Sequence, residues 1–355
     1  MSETVQTAVV GVTGYAGAEL ARLLVRHPRL KGTPPVFAGR VDERDRERGG
    51  VPLSEIHPHL VDSLGTGQLK QEPFSWELLE ARGVKVLFMA TPHEQSREWA
   101  PEALKRGIRV IDLSGAWRLE ADENRAVYKF VDADPALMAA TQKRAVYGMP
   151  ELHRDAIFNA DLIANPGCYA TSVILALKPL VAAGIVNLEA GIIADAKSGI
   201  SGAGKAATAK THYMNTADNF SAYGLFTHRH IGELYEQIGL NQEQILFTPH
   251  LLPVPRGILS TIYVRFNQVQ TRASVLKIYR DFFGASPLVR LYEKGLPQIQ
   301  NIVRTNYEDI GFELDASGKR AIIVSCLDNL LKGAAGQAVQ NLNLVYGWGE
   351  AEGLE

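Results

Sequence analysis

The sequence predicts an α/β protein of two domains, a parallel-sheet domain followed by an α+β domain built on a mixed sheet. Two observations carry this. Up to residue 166, brief apolar runs of β type alternate with stretches of helical periodicity, the pattern of strands joined by crossover helices. Beyond it the β-type runs lengthen and fewer helices separate them, which suits mixed or antiparallel pairing. The length of 355 residues agrees, being about twice a typical domain.

The elements follow in order. Residues 7–11 form a short apolar run, then a glycine turn, then residues 18–27, which repeat at helical spacing and stop before Pro28. Residues 36–40, 84–90, 110–113 and 162–164 continue the buried strands, with helical residues 98–105 between two of them. In the second part a helix at 171–183 precedes β-rich segments at 192–197, 245–249, 260–266 and 321–325. The expected division is 1–166 for the first domain and 167–327 for the second. A final helical stretch, within about 328–355, is expected to return and pack on the first.

Composition narrows the function classes. Lys+Arg 37 against Asp+Glu 39 gives a formal charge of -2, which argues against a basic nucleic-acid binder. Two cysteines build neither a disulfide framework nor a cysteine zinc site. The polar N-terminus lacks the pattern of a signal peptide, and the longest apolar stretch is interrupted by Lys178, Pro179 and Gly184. No membrane span and a cytoplasmic address are the expectations.

Gly11-Val-Thr-Gly-Tyr-Ala-Gly17 follows a predicted strand and opens a predicted helix. In that context the first glycine permits a tight turn and the second close approach of a pyrophosphate. The third permits helix–strand contact, and the helix N-terminus supplies N–H groups to the anion. This marks a Rossmann-type domain, although the spacing is one residue off the usual fingerprint and a plain glycine-rich turn is the alternative. The second strand ends at Arg40, with no acid before Asp42. An arginine there pairs with a 2′-phosphate, so NADP is favoured over NAD; a solvated loop arginine is the plainer reading.

Asn165-Pro-Gly-Cys168 lies where a strand ends and a helix begins. A thiol in the first helical turn has its thiolate stabilised, and the turn's N–H groups suit an oxyanion. Cys168 is placed like a nucleophile, while a lone cysteine is as readily a small buried hydrophobe; Cys326, ending an apolar run, fits the latter. A thiolate nucleophile needs a proton-transfer partner. His228 and His230, spaced to face one side, form the densest histidine cluster. Only Glu233 stands nearby as a further metal ligand, and no metal is expected. His27, His57, His59, His153 and His212 read as surface or turn residues, and His93 as a residue near the nucleotide. Ser198-Gly-Ile-Ser-Gly-Ala-Gly-Lys205 superficially resembles a P-loop but lacks its spacing.

These segments, with Asp112-Leu-Ser114, Tyr147-Gly-Met-Pro-Glu151, Thr248-Pro-His250 and Asp328-Asn-Leu-Leu-Lys-Gly333, resemble the N-acetyl-gamma-glutamyl-phosphate reductases of arginine biosynthesis. That family lies within the aspartate-semialdehyde dehydrogenase-like group, and the resemblance covers nearly the whole chain. It implies NADPH-dependent reduction of N-acetyl-glutamyl 5-phosphate to the 5-semialdehyde through a cysteine thioester. It also implies a second domain that is both catalytic and dimerising, in a homo-dimer or tetramer.

Carried onto this sequence, the resemblance makes Cys168 the acylated nucleophile and His230 the acid/base, with His228 beside it in a role left open. Gly11, Thr13, Gly14, Tyr15, Ala16, Gly17, Arg40, Pro92, Ser114, Ser198, Gly199 and Asn329 would line NADP(H). Asn165, Arg118 and Arg256 would meet the substrate, the two arginines having a structural ion pair as their alternative. Three departures stand out. Ile231-Gly232-Glu233 replaces Thr-Pro-Glu, and Gly115-Ala-Trp117 replaces Ala-Asp-Phe. Ala38-Gly39-Arg40 replaces Thr-Ser-Arg, which removes a serine contact to the 2′-phosphate. The nearest rival is reduction of an N-acyl-aminoadipyl or aspartyl phosphate. A Cys–His hydrolase would not need the glycine turn, and an NADP-binding sensor would not need Cys168 beside two histidines.

Overall fold

The computed structural model describes residues 5–60, 69–284 and 286–355. The first four residues, part of the polar N-terminus discussed above, lie outside the described ones. The chain forms two compact units, one of Met1–Arg118, Phe130–Asn165 and Ala335–Glu355, the other of Leu119–Lys129 and Pro166–Ala334. Residues 119–129 and 328–334 thus group with the second unit, whereas the terminal helix Gly336–Val345 groups with the first.

The first unit is built on strands β1 (Thr7–Val10), β2 (Val36–Gly39), β3 (Val51–Pro52), β4 (Lys70–Pro73), β5 (Val86–Met89), β6 (Arg109–Asp112), β7 (Ala145–Tyr147) and β8 (Leu162–Ala164). They lie in the order β3-β4-β2-β1-β5-β6-β8-β7, and only the β3–β4 pair is antiparallel. Strand order reverses between β1 and β5, and the crevice beyond their carboxyl ends is where such sheets bind nucleotides. Strands buried on both faces read as unbroken apolar runs, and Ala8, Val10, Leu87 and Met89 are each at most 1% exposed. Trp117 joins this core, its indole N–H donating to Ser96 Oγ at 3.1 Å. That packing accounts for one departure from the family pattern.

The second unit holds β9 (Ile192–Gly199), β10 (Ser221–Ala222), β11 (Ile245–Leu252), β12 (Ile258–Arg265), β13 (Val289–Leu291), β14 (Glu308–Leu314) and β15 (Arg320–Leu327) in the order β10-β11-β9-β12-β15-β14-β13. The β9–β11 and β13–β14 pairs are parallel and the rest antiparallel, the expected mixed sheet. Alternation along β12 buries Ile258, Ser260, Ile262 and Val264 on one face. That face packs on the apolar helix Cys168–Ala182, whose Ser172 hydroxyl meets Ser260 and Ser325 at 2.8 and 2.7 Å. The site helix is therefore fixed to the sheet by packing and by a buried hydroxyl cluster.

Candidate active site

In the first unit the three glycines of the turn do different work. Gly11 has φ +85°, and a Cβ there would lie 2.2 Å from the carbonyl oxygen of Ala90, just past β5. A Cβ on Gly17 would lie 2.2 Å from Gly11 O, so this glycine permits the close contact of helix Tyr15–Arg26 with the turn. Gly14 caps that helix with no side chain over its end. His57, expected at the surface, is buried, and its Nε2 bonds Val12 O at 2.7 Å inside the turn.

A cavity of about 340 Å³ opens beside the turn, lined by Gly11, Thr13, Arg40, Arg46, Gln71 and Pro92 among others. Phe74 and Trp99, stacked at 3.9 Å, form part of its wall. The close backbone approach at Gly11 and the cationic end at Arg40 fit a dinucleotide carrying a 2′-phosphate. Ser114 has a different setting: its N–H and hydroxyl both donate to buried Asp112, at 3.1 and 2.7 Å. Burial raises the Asp112 carboxyl above its ordinary value, against these hydrogen bonds.

Two expected substrate contacts in this unit also bond within the fold. Arg118 is 8% exposed; its Nε donates to Asn165 O at 2.7 Å and its Nη2 to Leu113 O at 2.8 Å. Asn165 is buried, and its Oδ1 accepts from Asn341 at 3.2 Å. His27 likewise corrects its surface reading. It is fully buried, with Nε2 3.0 Å from both Asn343 Oδ1 and Glu352 O, and burial lowers its pKa.

In the second unit Cys168 is the first residue of its helix, partly accessible, with no side-chain cap above it. The N-cap, Gly167, is glycine for a spatial reason. A Cβ there would lie 2.5 Å from His230 Nε2 and 2.7 Å from Glu233 Oε1. The imidazole and the carboxylate thus close on the residue that precedes the thiol. Glu233 is fully buried, and its Oε2 accepts the Gly167 N–H at 2.9 Å. Gly333, last residue of the Asp328 motif, approaches from elsewhere: a Cβ on it would lie 2.7 Å from Cys168 Cβ.

His228 and His230 have ring centroids 4.7 Å apart, nearly perpendicular. His228 Nδ1 accepts the His230 N–H at 3.2 Å, which places the proton of the neutral ring on Nε2. Nε2 then donates to Tyr223 Oη at 3.3 Å, Tyr223 donates to Tyr169 Oη at 3.5 Å, and Tyr169 donates to His250 O at 2.6 Å. Desolvation, aided by the Arg229 charge, lowers the His228 pKa to about 4, so this ring is neutral near pH 7. Tyr169 and Tyr223 are pushed upward by burial, the latter to about 12. Sequence reasoning missed both tyrosines and weighed Glu233 only as a metal ligand. The i, i+3 spacing of His230 and Glu233, with the tyrosine adjoining Cys168, was the available signal.

Arg256 pairs through Nε and Nη2 with Asp328, which is fully buried. Asn329 Oδ1 accepts the Gly257 N–H at 2.8 Å, and its Nδ2 donates to Ser201 Oγ at 2.9 Å. Ser198 is buried and donates to Gly199 O at 3.0 Å, while a Cβ on Gly199 would lie 2.7 Å from Arg256 N. These residues form one locked loop cluster. Cys326 is fully buried and its thiol is pushed up by burial, the opposite of an activated nucleophile. Among the described residues no group of three or more His, Cys, Asp or Glu side chains is arranged to hold a metal ion. No described helix is long and apolar enough to cross a membrane.

Known proteins place this arrangement. Residues 6–160 match the semialdehyde dehydrogenase NAD binding domain, and residues 168–329 match the semialdehyde dehydrogenase dimerisation domain. The N-acetyl-gamma-glutamyl-phosphate reductase of Desulforudis audaxviator is 41% identical, over 99% of this chain and 98% of that protein. The protein of the same name from Methanocaldococcus jannaschii is 38% identical, over 98% and 97%. The fold is shared with aspartate semialdehyde dehydrogenase II of Vibrio cholerae, at a TM-score of 0.69 and 20% identity over 97% of this chain and 98% of that one. The Candida albicans aspartate semialdehyde dehydrogenase solved with NADP gives 0.66 and 16%, over 96% and 98%. The chain therefore belongs to the N-acetyl-gamma-glutamyl-phosphate reductase family, a branch of the semialdehyde dehydrogenases.

Proposed function

We propose that Cys168 and His230 carry out the family reaction in this chain, with His228 and Glu233 as positioning residues. The enzyme is an NADP(H)-dependent oxidoreductase that reduces N-acetyl-glutamyl 5-phosphate to N-acetyl-glutamate 5-semialdehyde, releasing phosphate. The observation supporting the residue roles is the closure of His230 Nε2 and Glu233 on Gly167, next to a cysteine that opens an uncapped helix.

His230 takes the thiol proton, and the Cys168 thiolate attacks the acyl carbon. The bond to the phosphate oxygen breaks and phosphate leaves with that electron pair, giving a thioester on Cys168. The helix's first-turn N–H groups face charge developing on the acyl oxygen. The glycine turn and Arg40 would hold NADPH, which would supply the hydride that reduces the thioester carbon. His230 then gives its proton to the resulting alkoxide and takes it back as the thiolate departs and the aldehyde forms. His228, kept neutral, steadies the His230 backbone through Nδ1 and stays tied to the two tyrosines.

A homo-dimer forms through the open face of the second sheet. Leu246, Ile193, Tyr263 and Ile322 follow one another across β11, β9, β12 and β15, and each is between 39% and 48% exposed. Such a contiguous apolar row marks an interface. Acyl-phosphate-dependent NADPH oxidation by the wild type, assayed with N-acetyl-glutamyl, N-acyl-aminoadipyl and aspartyl phosphates, tests the substrate reading. A preference for either rival would overturn it.

A further inference from the structure

We infer that two guanidiniums, Arg40 and Arg46, grip the 2′-phosphate of NADP(H) together, in place of the arginine and serine usual in the family. This rests on the reading of the glycine-turn cavity as the cofactor site. β2 ends at Gly39 and Arg40 follows it, so the serine side chain is absent. The structure supplies a spatial reason. A Cβ on Gly39 would lie 3.0 Å from both Cδ and Nε2 of Gln71, which is only 4% exposed. Gln71 Nε2 in turn donates to Arg40 O at 2.9 Å. The glutamine fills the place of a residue-39 side chain and pins the backbone that presents Arg40.

The lost polar contact is replaced from the short helix Glu43–Glu47. Arg46 projects from it into the lining of the same cavity as Arg40. Asp42 fixes the start of that helix by accepting the Asp45 N–H at 2.8 Å. Two of the nearby acids are engaged elsewhere: Asp45 and Glu55 both pair with Arg48, at 2.9 and 2.6 Å. Among the described residues neither the Arg40 nor the Arg46 side chain donates a hydrogen bond or joins an ion pair. Two guanidinium forks lining one nucleotide cavity match a dianionic phosphate, whose oxygens accept bidentate N–H pairs. A ribose 2′-hydroxyl offers them one neutral acceptor and no charge, so the pair selects NADP over NAD. Gln71 acts as a positioning residue.

The test measures binding of 2′,5′-ADP and 5′-AMP to the full chain by calorimetry, without turnover. For Arg46→Gln, 2′,5′-ADP is expected to bind about tenfold more weakly, while 5′-AMP changes less than about twofold. Arg46→Lys recovers part of the loss, and Arg40→Gln with Arg46→Gln leaves the two nucleotides nearly equal. Equal weakening of both nucleotides by Arg46→Gln, or of neither, overturns the two-guanidinium grip. If Arg40→Gln abolishes discrimination while Arg46→Gln does not, the grip fails and the cofactor site stands. If the wild type does not discriminate at all, the reading of the cavity as an NADP(H) site falls with it.

Discussion

The N–H of Gly167 donates to the buried carboxylate of Glu233 at 2.9 Å, one residue before Cys168 and at a position where a Cβ would lie 2.5 Å from His230 Nε2. This bond ties the residue before the thiol to the short helix Ile231–Leu234, which His230 itself caps. Removing the carboxylate leaves a buried N–H without its acceptor. Glu233→Ala is expected to lower stability by about 1–3 kcal/mol, and turnover with it. Urea unfolding and steady-state kinetics check this; unchanged stability would show that the bond is dispensable.

Gly167→Ala places a methyl carbon 2.5 Å from His230 Nε2 on the present backbone. The imidazole must move, so turnover is expected to fall by about a hundredfold while NADPH affinity is unchanged. A fully active variant with a native thermal transition would show that the ring has slack the geometry does not reveal.

Cys168→Ser is expected to abolish phosphate-dependent oxidation of the semialdehyde while leaving NADP binding intact. Cys326→Ser should remain active, because that thiol is buried in β15 and burial holds it protonated. Mass spectrometry of enzyme mixed with the acyl phosphate, without NADPH, should find the acyl adduct on Cys168. An adduct on Cys326 reverses the assignment.

The histidines separate by kinetic signature. His230→Asn should lower kcat far more than it raises KM, since proton transfer acts along the reaction path. His228→Asn should act mainly on KM and the positioning of its neighbour, because the ring is neutral. The opposite pattern would exchange their roles.

The same histidine predicts an acid limb of stability. With a folded pKa of about 4 against 6.5 unfolded, His228 binds fewer protons in the native state across that interval. Stability is then full above pH 6.5 and declines as pH falls toward 4, by up to about 3 kcal/mol from this group. His27, also lowered, adds in the same direction. Urea midpoints between pH 4 and 7 should fall with pH, and His228→Asn should flatten the slope.

The sequence by itself determined the alternation of strands and helices, the glycine turn and the nucleophile's place at a helix start. These are local facts: period of apolarity, backbone freedom at glycine and the free N–H groups of a helix end. The mixed sheet was also legible, from the longer β-type runs with fewer helices between them beyond residue 166. Only the tertiary structure decided which charged and polar groups were free to act. Arg118 reads as a substrate contact in sequence, yet its donors reach the carbonyls of Asn165 and Leu113, 47 and 5 residues away in the chain. His27 and His57 read as turn residues and are buried. Arg46, silent in sequence, reaches the cavity of Arg40 because a short helix follows β2. A side chain's charge is written in its own residue, but its hydrogen-bond partners and desolvation come from segments far along the chain, and those set whether it binds, titrates or holds the fold.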